Sequence, residues 1–104
     1  MPKSRISVNK SQNDECLTIG ITGALDLHLT DAFRQAYESQ KLRFKHYDID
    51  LQHCTRITST GLGMLLIFKD FLELPADKIT LSNCSTDIRH MLDVAGFSNL
   101  FIIS

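Results

Sequence analysis

Apolar and polar residues alternate near both ends and in the middle of the chain, and between those stretches the apolar spacing lengthens to three and four. Ile6 and Val8 alternate with Ser7 and Asn9, and Leu17, Ile19 and Ile21 alternate with Thr18 and Gly20. That is the period of half-buried strands, and the polar cluster Ser11 to Asp14 between them predicts a turn, so an N-terminal β-hairpin is expected over Arg5 to Thr22. Gly23-Ala24-Leu25-Asp26 interrupts the alternation. From Leu29 the apolar positions are Leu29, Ala32, Phe33, Ala36 and Tyr37, one face of a helix, with Thr30 or Asp31 placed to cap it and Ser39-Gln40 at its end.

Tyr47, Ile49 and Leu51 predict a third strand, whose Asp48 and Asp50 share the face opposite the core and read as a solvated strand face. Gln52 to Thr58 reads as a polar connection, and Thr60 to Leu72 as a second helix with only Lys69 and Asp70 charged after Gly61. Such a helix is apolar around more of its circumference than one core-facing stripe needs. Met64, Ile67 and Phe71 therefore either line a thick core or meet a partner. Leu74-Pro75-Ala76-Asp77 ends that helix. Ile79 and Leu81 mark a fourth strand, and Ser85 or Thr86 caps a third helix with Ile88, Met91, Leu92 and Ala95 inward and Gly96 as its left-handed stop. Leu100 to Ile103 fits a brief edge strand.

Strands separated by helices pair in parallel through right-handed crossovers. Because the strands alternate apolar with Asp, Lys, Thr and Ser, one sheet face stays comparatively open. The expectation is one α/β domain over residues 1–104, a mixed four- or five-stranded sheet with helices mainly on one face. It is not a doubly wound nucleotide fold. Functional loops of such sheets gather at the carboxyl ends of parallel strands, where Gln52 to Ser59 falls.

Composition narrows the chemistry. A formal net charge of −1, from 11 basic and 12 acidic side chains, gives no electrostatic reason to expect nucleic acid or an anionic membrane as partner. Cys16, Cys54 and Cys84 lack Cys-x-x-Cys spacing and read as reduced thiols; His28, His46, His53 and His90 form no ligand pattern, and His53-Cys54 reads as a loop dipeptide. No metal and no cofactor are expected. The start, Met1-Pro2-Lys3-Ser4-Arg5, lacks the apolar core of a signal peptide, and the longest apolar run, Met64 to Phe68, is too short to span a bilayer. A cytoplasmic location follows as the expectation.

The stretch Ile57-Thr58-Ser59-Thr60-Gly61-Leu62-Gly63-Met64 places three hydroxyls at a helix entry. A nucleophile elbow would need Gly where Ile57 stands, and no ordered acid and histidine accompany Ser59. A nucleotide loop would need Gly-x-x-x-x-Gly-Lys or Gly-x-Gly-x-x-Gly, and Gly61-Leu62-Gly63 is neither. A phosphorylation switch on Ser59 is physically reasonable, since a phosphoserine carries about −1.5 to −2 charges that a helix N-terminus tolerates. Gly61 and Gly63 either bare the first turn to an approaching protein or let the helix pack tightly on the sheet, and any of Thr58, Ser59 and Thr60 can be the cap.

Thr58-Ser59-Thr60-Gly61-Leu62-Gly63, following Ile49-Asp50-Leu51, resembles the Asp-Ser-[Ser/Thr]-Gly-Leu-Gly signature of bacterial anti-sigma factor antagonists of the STAS-domain family. Gly23-Ala24-Leu25-Asp26 with Ala32-Phe33-Arg34 is similar to the family's entry to its first helix, and Asp87 to Phe97 to its closing helix. The resemblance implies a non-enzymatic regulator without cofactor. It implies that Ser59 is phosphorylated by a serine kinase of the GHKL ATPase fold, often itself the anti-sigma factor, and restored by a PP2C-type phosphatase. By the same resemblance, the unmodified form would bind the kinase or another switch partner through Asp26, Thr58, Ser59, Thr60, Gly61, Leu62 and Gly63, and phosphorylation would break the complex. The chain departs from the signature at Thr58, where the family has Asp, so this loop is less acidic. A STAS scaffold or small-ligand binding module that is never phosphorylated is the alternative.

Overall fold

A computed structural model describes residues 4–11, 13, 15–41 and 43–104. Five strands, β1 (Arg5–Lys10), β2 (Cys16–Leu25), β3 (His46–Ile57), β4 (Ile79–Ser82) and β5 (Ile102–Ile103), form one sheet in chain order. β1 runs antiparallel to β2, and every later pair is parallel. Three helices, α1 (Thr30–Tyr37), α2 (Ser59–Leu72) and α3 (Thr86–Val94), supply the crossovers. The expected mixed sheet is present, with five strands and the brief edge strand at Ile102–Ile103.

The alternation decides which face the helices cover. On β2, Leu17, Ile19, Ile21 and Leu25 are buried, as are Tyr47, Ile49 and Leu51 on β3 and Ile79 and Leu81 on β4. Phe68 of α2 packs among Phe33, Tyr37 and Tyr47 at centroid distances of 5.5, 4.9 and 6.3 Å. The core thus lies between helices and one sheet face. The other face carries Thr18, Thr22, Asp48, Asp50, Thr80 and Ser82, all only half-buried. Burial pushes the Asp48 carboxyl above its ordinary range, opposed by the Ser82 hydroxyl, so this aspartate is less freely solvated than its position in the alternation suggests. At the hairpin edge Val8 is exposed and Ile6 packs partly against the core.

Several boundaries differ from the sequence expectation. β3 does not stop at Leu51; Gln52 to Ile57, read as a connection and including His53-Cys54, continues the strand. β2 likewise runs through Gly23 and Ala24 to Leu25. Their pairing steps from Gly20↔Asp50 to Thr22↔His53 and from Gly23↔Cys54 to Ala24↔Arg56, two bulges that each insert an extra residue into β3. The bulges erase the alternation there, which is why a strand looked like a loop. α1 is not capped by Thr30 or Asp31: a 3₁₀ turn, Leu27–Leu29, feeds directly into it, and Asp26 caps that turn. The hairpin turn is tied by Ser11, whose Oγ accepts from the Glu15 and Cys16 amides at 2.9 Å each; Gln12 and Asp14 of the predicted turn, like Met1 to Lys3, lie outside the described residues. Ser85 Oγ caps α3 by accepting from the Ile88 amide at 3.2 Å, and Gly96 takes the left-handed conformation at φ 81°. Among the described residues no helix is long and apolar enough to cross a membrane.

Candidate functional site

The end of β2 and the start of α2 are built around one carbonyl, that of Leu25. It accepts from the Thr58 amide at 3.1 Å and from the Thr58 hydroxyl at 3.3 Å. Gly61 sits so close to the same oxygen that a Cβ at this position would overlap it and would also meet Ile57 Cγ2 at 2.9 Å. A side chain is therefore excluded at Gly61 by backbone, not by a rotatable neighbour. The Asp26 carboxylate, one residue further on, accepts from the His28 amide at 3.0 Å and holds the turn that leads into α1.

Three successive hydroxyls left the cap undecided, and the structure assigns it. Thr58 has extended backbone and its Oγ accepts from the Gly61 amide at 3.1 Å, the geometry of an N-cap. Its carbonyl takes the Leu62 amide at 2.9 Å. Ser59 and Thr60 are consequently the first two helical residues, both exposed, and their amides are the remaining unfilled donors of the first turn among the described residues. Asp and Thr are both good N-caps, so Thr58 keeps the structural duty that an aspartate would perform while removing its charge from beside Ser59. Among the described residues Ser59 Oγ makes no hydrogen bond to a histidine or carboxylate. No group of three or more His, Cys, Asp or Glu among them could hold a metal ion.

The two glycines of this stretch have opposite surroundings. Gly61 is buried against β2, whereas a Cβ at Gly63 would meet nothing within 4 Å. Residues three, four, seven and eight apart line up on a helix, so Ser59, Gly63, Leu66 and Ile67 form one outward stripe. Leu66 is 42% and Ile67 63% exposed, while Met64, Leu65, Phe68 and Leu72 are buried. The two readings of α2 are thus divided residue by residue: Met64 lines the core, Phe71 packs against its margin, and Ile67 faces outward. Leu27, in the turn that Asp26 caps, is 68% exposed, and Thr30, just beyond that turn, donates its hydroxyl to the Leu27 carbonyl at 2.9 Å, with Met64 Sδ 3.7 Å from the same hydroxyl oxygen.

All seven residues singled out in the sequence therefore converge on one end of the molecule, with unequal access. Ser59 and Thr60 are open, Asp26, Thr58, Leu62 and Gly63 are half-buried, and Gly61 is enclosed. Sequence reasoning missed the Leu25 carbonyl, which has no side-chain signature, and did not separate Leu66 from its buried neighbours.

Known proteins match this chain along nearly its whole length. The sequence profile described as "Mlab, STAS domain" covers residues 8–103. A STAS-domain containing protein of Pseudomonas aeruginosa (strain UCBPP-PA14) is 36% identical over 99 residues, which cover 95% of this chain and 98% of that protein. The chain belongs to the STAS-domain family. Its fold is that of the anti-sigma factor antagonist SpoIIAA in its unphosphorylated form, with a TM-score of 0.72 at 20% identity over 95% of this chain and 86% of the other. The phosphorylated form of the Bacillus cell fate determinant SpoIIAA matches at 0.67, 20% identity and 95% and 90% coverage. An anti-sigma factor antagonist from Mycobacterium paratuberculosis gives 0.76 at 15% identity, with 97% and 85% covered.

Proposed function

We propose that this protein is a cytoplasmic, non-enzymatic partner switch, controlled by phosphorylation of Ser59. Unmodified, it binds a GHKL-type serine kinase that doubles as an anti-sigma factor, or a similar switch partner. Phosphorylated, it releases that partner, and a PP2C-type phosphatase resets it. The observation that carries this reading is the position of Ser59: first residue of α2, exposed, relieved of capping duty by Thr58, and at the head of an apolar stripe.

The physics of the switch follows from those neighbours. A partner seated on Gly63, Leu66 and Ile67 would enclose the Ser59 hydroxyl at the edge of an apolar contact. Adding about −1.5 to −2 charges there costs desolvation against the partner, while the free Ser59 and Thr60 amides and the helix dipole stabilise the same phosphate in the isolated protein. Phosphorylation thus penalises the complex more than the fold. Thr58, neutral where the family signature has Asp, removes a repulsion next to the modified oxygen.

Coexpression with a GHKL kinase encoded nearby, followed by intact-mass analysis, tests the acceptor. One phosphate is expected on the wild type and none on Ser59→Ala. Absence of phosphate from the wild type, or its persistence in the variant, would overturn the assignment and favour an unmodified STAS scaffold or small-ligand module.

A further inference from the structure

The two β3 bulges do more than lengthen the strand. In regular pairing His53 and Arg56, three apart, would point to opposite faces. The extra residues bring both to the open face: Arg5 pairs with Thr22, Thr22 with His53, and Ala24 with Arg56, so Arg5, Thr22 and His53 form one row across three strands and Arg56 stands in the next. Around them lies a cavity of about 690 Å³, lined also by Ser4, Gln52 and Thr55. That size is within the range of small-molecule sites, about 300–1,000 Å³.

Its charge is one-sided. Among the described residues no carboxylate lines it, and neither Arg5 nor Arg56 forms an ion pair. The next acidic residue along β3, Asp50, is turned to other partners: its Oδ1 accepts from the Gln52 amide and from Asn83 Nδ2, both at 3.0 Å. Two guanidinium groups, an imidazole, the hydroxyls of Thr22 and Thr55 and the Gln52 side-chain amide therefore face a concave space with donors in excess.

We infer that this groove on the open sheet face, framed by Arg5 and Arg56, is a binding site for a small organic phosphate. Guanidinium groups match phosphate oxygens in fork geometry, and the hydroxyls and imidazole suit the rest of a compact polar ligand. The inference does not rest on Ser59 being modified. It does place a ligand on β3, whose Arg56 lies three residues before Ser59, the first residue of α2.

The test is a titration of ¹⁵N-labelled, unphosphorylated protein, followed amide by amide, with glycerol phosphate and, separately, pyrophosphate, against sodium sulfate at matched ionic strength. Saturable shifts are expected at residues 22–24 and 52–56 with glycerol phosphate, and shifts with pyrophosphate alone would overturn an organic ligand. Arg5→Gln/Arg56→Gln should weaken binding by about tenfold or more, while Lys10→Gln/Lys78→Gln, the same loss of charge at other exposed positions, should not. Both arginines are exposed, and the same spectra report that the fold is intact. No saturable shift with either phosphate, equal shifts with sulfate, shifts scattered over the basic surface, or equal weakening by the control pair would overturn the inference.

Discussion

The inner and outer sides of α2 obey different rules although they are one helix. Inward, Gly61, Met64, Leu65, Phe68 and Leu72 are enclosed, and each atom is answerable to a neighbour. Outward, Ser59, Gly63, Leu66 and Ile67 touch little of their own protein. The difference teaches that the motif Thr58 to Gly63 is two devices interleaved: Thr58 and Gly61 seat the helix on the Leu25 carbonyl, and Ser59 and Gly63 present a surface. Substitutions should sort by side, whatever their position in the motif.

The largest contrast is expected at Phe68. Phe68→Ala empties the space among Phe33, Tyr37 and Tyr47 and should cost about 3–5 kcal/mol in denaturant unfolding, whereas Ile67→Ala, its outward neighbour, should change stability by no more than about 0.5 kcal/mol and instead weaken partner binding. A large loss of stability at Ile67 would break the division. Next comes Gly61→Ala, which must push α2 away from the Leu25 carbonyl; overpacking of this kind costs about 1–3 kcal/mol, and the upper end is expected because backbone cannot rotate aside.

Thr58 separates cap from charge. Thr58→Ala removes the acceptor for the Gly61 amide and should cost about 1 kcal/mol; Thr58→Asp should retain most of that stability, since either side chain can cap. If Thr58→Asp were as damaging as Thr58→Ala, capping would not be the role of this position. The smallest effect has the opposite sign. Gly63→Ala has open space around its Cβ and replaces the poorer helix former, so it should stabilise by about 0.5–1 kcal/mol while crowding any partner that docks on the stripe. Thermal and denaturant melts of this pair of glycine variants read the two sides of the helix directly.

Much of the fold was legible because the core face is written in strict alternation. Leu17, Ile19 and Ile21, or Tyr47, Ile49 and Leu51, need no tertiary information to be assigned to strands facing one way. The boundaries that failed are those where tertiary structure overrides the local period. From Leu51 to Ile57 two exposed residues follow each buried one, which neither a regular strand nor a helix produces, and only the bulged pairing of this segment with the end of β2 makes it a strand. Asp26 was visible as a candidate but its capping of a 3₁₀ turn was not, because that turn replaces a cap on α1 itself.

The candidate site was legible in composition and ambiguous in geometry. Thr58, Ser59 and Thr60 are interchangeable as caps by local rules. The Leu25 carbonyl, 33 residues away in sequence from Thr58, selects among them. Likewise α2 is apolar nearly all round, so no periodicity could tell that Leu65 is enclosed and Leu66 is 42% exposed. The sheet beneath the helix makes that distinction.

The central claim is that one oxygen at the head of the outward stripe controls binding. It is tested most directly by measuring, in the same titration calorimetry experiment, the affinity of the kinase partner for the unmodified protein and for protein carrying phosphate on Ser59. The account predicts that phosphate weakens binding by at least about tenfold, or 1.4 kcal/mol, with the fold unchanged. Equal affinity of the two forms would contradict it.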